Sequence, residues 1–187
     1  MKLEAILRDL LDGILQVDAS GIPFRGFQPG VGPYGEPQLV KLLVQHLNSL
    51  PSYMKAVRTR RSPDILIPGE WGIEVKITRP FGDNANEAEN WSVNLLHPYP
   101  GNVSTIGDCL KLLSLNGRER KSIVVIGYEH IPPQIDLSPL IRAFEVIANQ
   151  VAGIILSSRI ELKREGLIHP VHQSVRLFGW EVVSYAA

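Results

Sequence analysis

Two carboxylates and a lysine are spaced so that they can meet on one face of a β-hairpin. Asp64 opens a short apolar run at residues 64–67, and Glu74 and Lys76 lie in a second run at residues 73–78. In the second run apolar β-branched residues alternate with polar ones, and successive side chains of a strand point to opposite faces. We therefore expect Glu74 and Lys76 to share a chemical face, while the residues between them enter the core.

The connection between the two runs decides whether Asp64 reaches that same face. If residues 68–72 form a five-residue connection, residue 67 pairs with residue 73 and Asp64 falls opposite Lys76. A four-residue connection would reverse the alternation and send Asp64 to the other face, unless a bulge restored it. We predict the five-residue connection, which brings both carboxylates together.

Converging carboxylates repel each other and favour a hard divalent cation between them. Mg²⁺ commonly takes one or two carboxylates from a protein and keeps water molecules for a phosphate substrate. A lysine beside the carboxylates can orient or activate the attacking water. This combination suits metal-assisted hydrolysis of a phosphodiester bond.

The elements that must position these residues follow from hydrophobic periodicity. Apolar residues at three- and four-residue steps indicate helices, which we predict at residues 2–16, 37–50, 103–116 and 137–150. Short runs rich in β-branched residues indicate strands, which we predict at residues 55–60, 64–67, 73–78, 122–128, 152–157 and 174–184. The segments rich in Gly, Pro or polar residues are predicted loops, at residues 20–37 and 79–102. This order predicts an α/β sandwich with a mixed sheet.

The motif itself resembles that of a known superfamily. Pro63-Asp64, nine further residues and then Glu74-Val75-Lys76 resemble the motif of the PD-(D/E)XK nucleases. The resemblance implies the restriction-endonuclease-like fold, which is an α/β/α sandwich with a central mixed sheet whose hairpin carries the motif. Residues 37–128, roughly half of the chain, follow the helix, three-strand, helix and strand order of that core.

The resemblance also implies roles for particular residues. Asp64 and Glu74 would bind Mg²⁺ together with the Val75 carbonyl, with Mn²⁺ as an expected substitute, and Lys76 would serve the attacking water. Many members carry a further glutamate on the helix before the first strand, and Glu36 is the candidate catalytic residue at that position.

The activity that the resemblance implies is endonucleolytic cleavage of DNA, of type II restriction type, leaving a 5′-phosphate. A chain of one domain would then act as a homodimer to cut both strands symmetrically. Three alternatives remain open: a repair, recombination or RNA nuclease on the same core, a non-catalytic nucleic-acid-binding subunit, and a plain amphipathic hairpin whose polar face is solvated.

Residues near the motif are candidates for contacts with nucleic acid. A basic run precedes Asp64 and could bind phosphates, and the 79–102 loop offers an amide and two aromatic rings that could bind or stack on bases. The predicted nucleic-acid-binding residues are Arg58, Arg60, Arg61, Asn90, Trp91 and Tyr99. A solvated strand edge and ordinary turn residues are the alternatives for these two groups.

Two further residues, on the third predicted helix, also have two interpretations. Asp108 and Lys111 stand one helical turn apart. They either support the site from an adjacent helix or form only an intrahelical ion pair.

Length and composition limit the remaining possibilities. The chain of 187 residues with 44% hydrophobic residues suits a single domain. We expect a nuclease domain at 1–187, with its core at about 37–128, an N-terminal helix and Gly/Pro-rich loop at 1–36, and a C-terminal α/β extension at 129–187.

The charge balance requires any nucleic-acid surface to be local, because 19 basic side chains balance 19 acidic ones. The apolar runs are far shorter than the roughly 20 residues that a membrane helix needs. There is no Gly-x-x-x-x-Gly-Lys-Ser/Thr loop for a nucleotide cofactor. We expect a cytoplasmic protein that binds DNA and has neither a membrane partner nor a nucleotide cofactor.

Overall fold

The computed structural model describes residues 1–99 and 103–183. Ser184, the predicted last residue of the final strand, and residues 100–102 of the second predicted loop lie outside the described residues. Among the described residues, no helix is long and apolar enough to cross a membrane.

The helices lie close to their predicted positions. In the described residues they are α1 (Leu3–Ala19), α2 (Glu36–Ser49), α3 (Val93–Leu96), α4 (Thr105–Ser114) and α5 (Ser138–Val146). A 3₁₀ turn at Pro51–Tyr53 follows α2, and a π-helical turn at Ile147–Val151 continues α5. The short α3 lies within residues 79–102, which the sequence predicted as loop.

The strands form one mixed sheet, as predicted. They are β1 (Arg58–Thr59), β2 (Ile65–Ile67), β3 (Trp71–Thr78), β4 (Arg120–Glu129), β5 (Ile155–Leu156), β6 (Ile160–Glu165) and β7 (Ser174–Val183). The order across the sheet is β1-β2-β3-β4-β7, and both β5 and β6 pair with β7. Only β3 and β4 are parallel among these pairs, whereas β2 is antiparallel to both β1 and β3, as the predicted hairpin requires.

The sequence did not predict strand β6. Four of its six residues are charged, which hides the apolar alternation of Ile160 and Leu162. Charged side chains are typical of edge strands because they discourage pairing with another chain. The edge position of β6, next to β7, therefore explains why its pattern is weak.

Helices cover both faces of the sheet and form two hydrophobic cores. The first core joins α1 and α2 to the face of β3 that carries Ile73 and Val75. The second core joins α3, α4 and α5 to the opposite face, through residues such as Ile123 and Val125 of β4. The polar residues of β3 therefore face the second helix layer instead of solvent.

The predicted register of the β2–β3 hairpin is wrong by two residues. Ile67 pairs with Trp71 instead of residue 73, so the connection comprises three residues instead of five. Trp71 is fully buried and extends β3 toward the turn, which shortens the connection. A shift by two residues keeps the alternation of faces, so the predicted face of Asp64 is unaffected.

The Gly/Pro-rich segment before α2 is held against the end of β3. Arg79, directly after β3, donates hydrogen bonds from Nη1 to the Gly32 carbonyl (2.6 Å) and from Nη2 to the Tyr34 carbonyl (3.0 Å). The Asp18 carboxylate of α1 accepts from the backbone N–H of Val31 at 2.9 Å. These bonds fix the start of α2, where Glu36 lies.

The packing of this segment predicts a difference between two of its glycines. A Cβ added at Gly32 would overlap the ring of His172, which is 1% exposed and hydrogen-bonded to the Phe81 carbonyl, whereas a Cβ at Gly26 meets nothing within 4 Å. We expect Gly32→Ala to lower the free energy of unfolding by about 1 to 3 kcal/mol. Gly26→Ala should change it little. Urea unfolding curves of the two variants measure the difference, and equal midpoints would contradict this packing.

Candidate active site

Strand β3 is longer than its neighbour β2, and this leaves part of its edge without a strand partner. The ladder between them ends at Ile65 and Ile73. Beyond that pair, the backbone N–H of Val75 donates to Asp64 Oδ2 at 2.9 Å, and the N–H of Ile77 donates to Glu36 Oε2 at 3.2 Å. Two carboxylates therefore take the place of strand carbonyls along this edge.

Asp64 and Glu74 meet at the point where β2 ends. The observed register, continued by one residue, sets Asp64 directly opposite Glu74, and each carboxyl group shifts the pKa of the other. The structure thus brings them together on one face, as the sequence predicted. Ser62 Oγ also donates to Glu74 Oε1 at 2.6 Å, a contact that no pattern in the sequence indicated.

The environment of this pair favours a bound proton when no cation is present. Burial, followed by the interaction of its protonated form with the Asp64 carboxylate, raises the pKa of Glu74 from 4.5 to about 7. Burial also raises the pKa of Asp64. Perturbed carboxyl groups of this kind are typical of functional sites, although ion-pair networks in structural roles also produce them.

Lys76 is on the same face, but its ammonium is directed to other carboxylates. Its Nζ lies 3.0 Å from Asp108 Oδ2 and 3.5 Å from Glu36 Oε1, and the side chain is 8% exposed. Burial lowers the pKa of Lys76, but the charges of Glu36 and Asp108 outweigh burial and the net pKa is raised. Lys76 is therefore a fixed cation, and the polar face of β3 is not the solvated surface of a plain hairpin.

Helix α4 covers this polar face. The Ser104 hydroxyl caps the helix by accepting from the Gly107 N–H at 3.0 Å. Asp108 pairs with Lys111 at 2.9 Å as well as with Lys76. Lys111 in turn lies 3.2 Å from Glu74 Oε1. Asp108 and Lys111 thus form the intrahelical pair, but they also contact Lys76 and Glu74 of the candidate site.

The donor set can be compared with the needs of a divalent cation. Within residues 1–99 and 103–183, no group of three or more His, Cys, Asp or Glu side chains is arranged to hold a metal ion. Mg²⁺, however, commonly takes only one or two carboxylates, with water and substrate filling its other positions. Asp64 and Glu74 supply such a pair, and the Val75 backbone lies on the same unpartnered edge.

The formal charge of the carboxylate and lysine cluster also suits a divalent cation. Its ionisable side chains are the four carboxylates and two ammonium groups of Glu36, Asp64, Glu74, Asp108, Lys76 and Lys111. With all carboxyls ionised the cluster has a formal charge of −2, so one divalent cation would neutralise it.

The three arginines predicted to bind nucleic acid lie near β1. Arg58 and Arg61 are exposed. Arg60 lines a cleft of about 110 Å³, together with Ser62 and Leu112 of α4. Ser62 in the lining of this cleft is hydrogen-bonded to Glu74, and we name the cleft the arginine cleft.

The residues predicted to contact bases lie at the other end of β3. Trp91 lines a second cleft together with Ile77 and Arg79, and its carbonyl accepts from Thr78 Oγ1 at 3.3 Å. Asn90 is exposed, and Tyr99 is 68% exposed. We name this the tryptophan cleft. The structure does not gather all the predicted nucleic-acid-binding residues at one point but distributes them between the two ends of the site.

Comparisons of the chain with protein-family models, with curated proteins and with solved structures found no match. Any proposal of a function for this chain therefore rests on the geometry and electrostatics of its own side chains.

The raised pKa of Glu74 predicts a pH dependence of stability in the absence of divalent cations. The folded state holds this proton more tightly than the unfolded chain does, so the stabilisation is complete below pH 4.5 and is lost as pH rises to about 7. Glu74→Gln cannot titrate at this position. Between pH 4.5 and 7.5 we expect the wild type to lose about 1 to 2 kcal/mol of unfolding free energy relative to Glu74→Gln. Urea unfolding in EDTA measures the difference, and parallel pH profiles would show that the pair does not share a proton.

Proposed function

We propose that this protein is a Mg²⁺-dependent endonuclease that hydrolyses phosphodiester bonds of DNA. The observation that supports the proposal is the close approach of Asp64 and Glu74, one opposite the other, beside the unpartnered edge of β3. Two neighbouring carboxyl groups repel each other when both are ionised. Such a pair has no evident use in stability, whereas it suits a site that takes up a divalent cation.

The assignment of roles follows from what each group contacts. Asp64 and Glu74 would hold Mg²⁺, or Mn²⁺ in its place, with the Val75 carbonyl as a third donor. A bound cation of this kind polarises a phosphoryl oxygen and lowers the pKa of the attacking water. Asp64 also stays fixed by the Val75 N–H, which orients its carboxylate before any ligand binds.

Lys76 and Glu36 would act beside this pair. The raised pKa of Lys76 keeps its ammonium protonated, so its role is to orient the water and stabilise developing negative charge. Glu36 holds Lys76 from the start of α2 and also accepts from the Ile77 N–H. Glu36 is therefore a positioning residue in this proposal.

The two clefts support a polymeric substrate. The arginine cleft and the tryptophan cleft lie at opposite ends of β3, so a strand that crosses Asp64 and Glu74 would meet Arg60 at one end and Trp91 at the other. Helices on both faces of a mixed sheet, with the motif on a hairpin, support a restriction-endonuclease-like fold. We propose a homodimer as the form that cuts both strands of a duplex.

Glu74 provides the decisive test of the proposal. We expect Glu74→Ala to lower Mg²⁺-dependent cleavage by about 1000-fold or more, which corresponds to about 4 kcal/mol of lost transition-state stabilisation. Glu165→Ala, which removes an exposed carboxylate that pairs with Lys163 on β6, is the matched control and should cleave like the wild type. Initial rates on duplex DNA, branched DNA and RNA measure the effect and identify the substrate.

The stability of the same variants separates catalysis from structure. Loss of Glu74 removes a repulsive charge near Asp64, and Lys111 is exposed enough to be rehydrated. We expect the unfolding free energy to change by no more than about 1 kcal/mol. Wild-type turnover by Glu74→Ala, or a loss of unfolding free energy above about 3 kcal/mol, would contradict the metal site and indicate that Glu74 belongs to a structural ion pair.

Replacement of Lys76 should separate binding from chemistry. Lys76→Met keeps the packing of the side chain but removes its charge. We expect turnover to fall by about 100-fold or more and Mg²⁺ affinity to be unchanged or higher, because a cation near the carboxylates is removed. Lys76→Arg should rescue poorly, since the planar guanidinium differs in shape and the site is 8% exposed. Calorimetric Mg²⁺ titration and saturated cleavage rates measure these effects. Loss of DNA binding with unchanged saturated turnover would instead make Lys76 a phosphate-binding residue.

A further inference from the structure

The two lysines of the cluster, Lys76 and Lys111, differ in their exposure to solvent. Lys76 is 8% exposed and is held between two carboxylates, whereas Lys111 is 44% exposed. Lys111 is on the inner side of α4, and its Nζ is 3.2 Å from Glu74 Oε1 and 2.9 Å from Asp108 Oδ1. Lys111 is thus the cation that combines contact with the carboxylate pair and access to solvent.

We infer that Lys111 is a substrate-binding residue that contacts a non-bridging oxygen of the phosphate at the Asp64 and Glu74 pair. The inference rests on the proposed function and assigns to α4 a phosphate contact that the motif on the hairpin does not include. Lysine is suited to this task because its ammonium is a compact point charge with three donors on a flexible stem.

The contacts of Glu74 show why Lys111 can change partner. Glu74 Oε1 already accepts from Ser62 Oγ at 2.6 Å, so Lys111 is not required to satisfy it. When the carboxylate pair is loaded with a divalent cation, the charge on Glu74 is compensated and Lys111 loses its attraction to that oxygen. Asp108 still holds Nζ at the same place by its own ion pair.

The position of Lys111 also suits contact with the phosphate backbone of a bound nucleic-acid strand. The next residue of α4, Leu112, forms a wall of the arginine cleft, which also contains Arg60. A backbone that runs from this cleft to Glu74 would pass Lys111 before it reaches the carboxylates. Lys76 lies on β3 and acts from the strand side of the site.

The salt dependence of DNA binding tests the inference directly. A contact between one lysine and a phosphate contributes about 0.9 to the slope of log K against log salt concentration on duplex DNA. With Ca²⁺ in place of Mg²⁺ to limit turnover, we expect Lys111→Ala to lower that slope by about 0.9. Lys111→Arg should keep the slope, because it keeps the charge. Lys41→Ala, on the outer side of α2, is the control and should behave as the wild type.

Cleavage rates under Mg²⁺ complete the test. We expect Lys111→Ala to raise KM and to lower kcat by about 10- to 100-fold, with no change in the thermal midpoint beyond that of Lys41→Ala. An unchanged slope in a Lys111→Ala protein, while Glu74→Ala abolishes cleavage, would overturn this inference and leave the proposed function in place. Absence of any salt-dependent binding by the wild type would overturn both.

Discussion

The site depends on the unequal lengths of two neighbouring strands. A backbone N–H that is removed from water needs an acceptor, and β3 continues past Ile65, the first residue of β2, with the N–H groups of Val75 and Ile77 directed to the vacant side. Asp64 and Glu36 provide the acceptors. This requirement places the carboxylate of Asp64, just before β2, and that of Glu36 in α2 beside the polar face of β3. The positions of Glu74 and Lys76 on that face then follow from strand alternation.

Helix α4 covers this face and removes its charged groups from water. Because desolvation of a charge is costly, each of these groups needs a partner. The ion pairs form a chain in which negative and positive side chains alternate, in the order Glu36, Lys76, Asp108, Lys111 and Glu74. The alternation fails at its end, where Glu74 meets Asp64 and no third cation is present among the described contacts. The excess negative charge of the network therefore lies at this end, beside the two carboxylates that the proposal assigns to a cation.

Much of this arrangement could be predicted from the sequence, and the failures have physical causes. The periodicity of leucine and isoleucine located the helices, and the alternation in residues 73–78 assigned Glu74 and Lys76 to one face. The turn was misplaced because Gly69 and Gly72 both look like turn residues, although the strand already begins at Trp71. Burial of the polar face could not be predicted, because polar and apolar alternation usually marks a solvated face and the covering helix lies some thirty residues away along the chain. The contact of Lys111 with Glu74 depends on how that helix packs, which no local pattern encodes.

One strand positions both the chemical groups and the segment that encloses them. Glu74 and Lys76 point to the helix α4 side of β3, while Arg79, directly after the strand, holds the Gly32 and Tyr34 carbonyls of the segment before α2. Because that segment leads into Glu36, the distance between Glu36 and Lys76 is fixed at both ends by β3. A binding site whose parts are held by one central strand requires little reorganisation when a ligand arrives. The rigid part of the site is therefore β3 with its polar residues, whereas Lys111 of α4 is the more exposed of the two lysines.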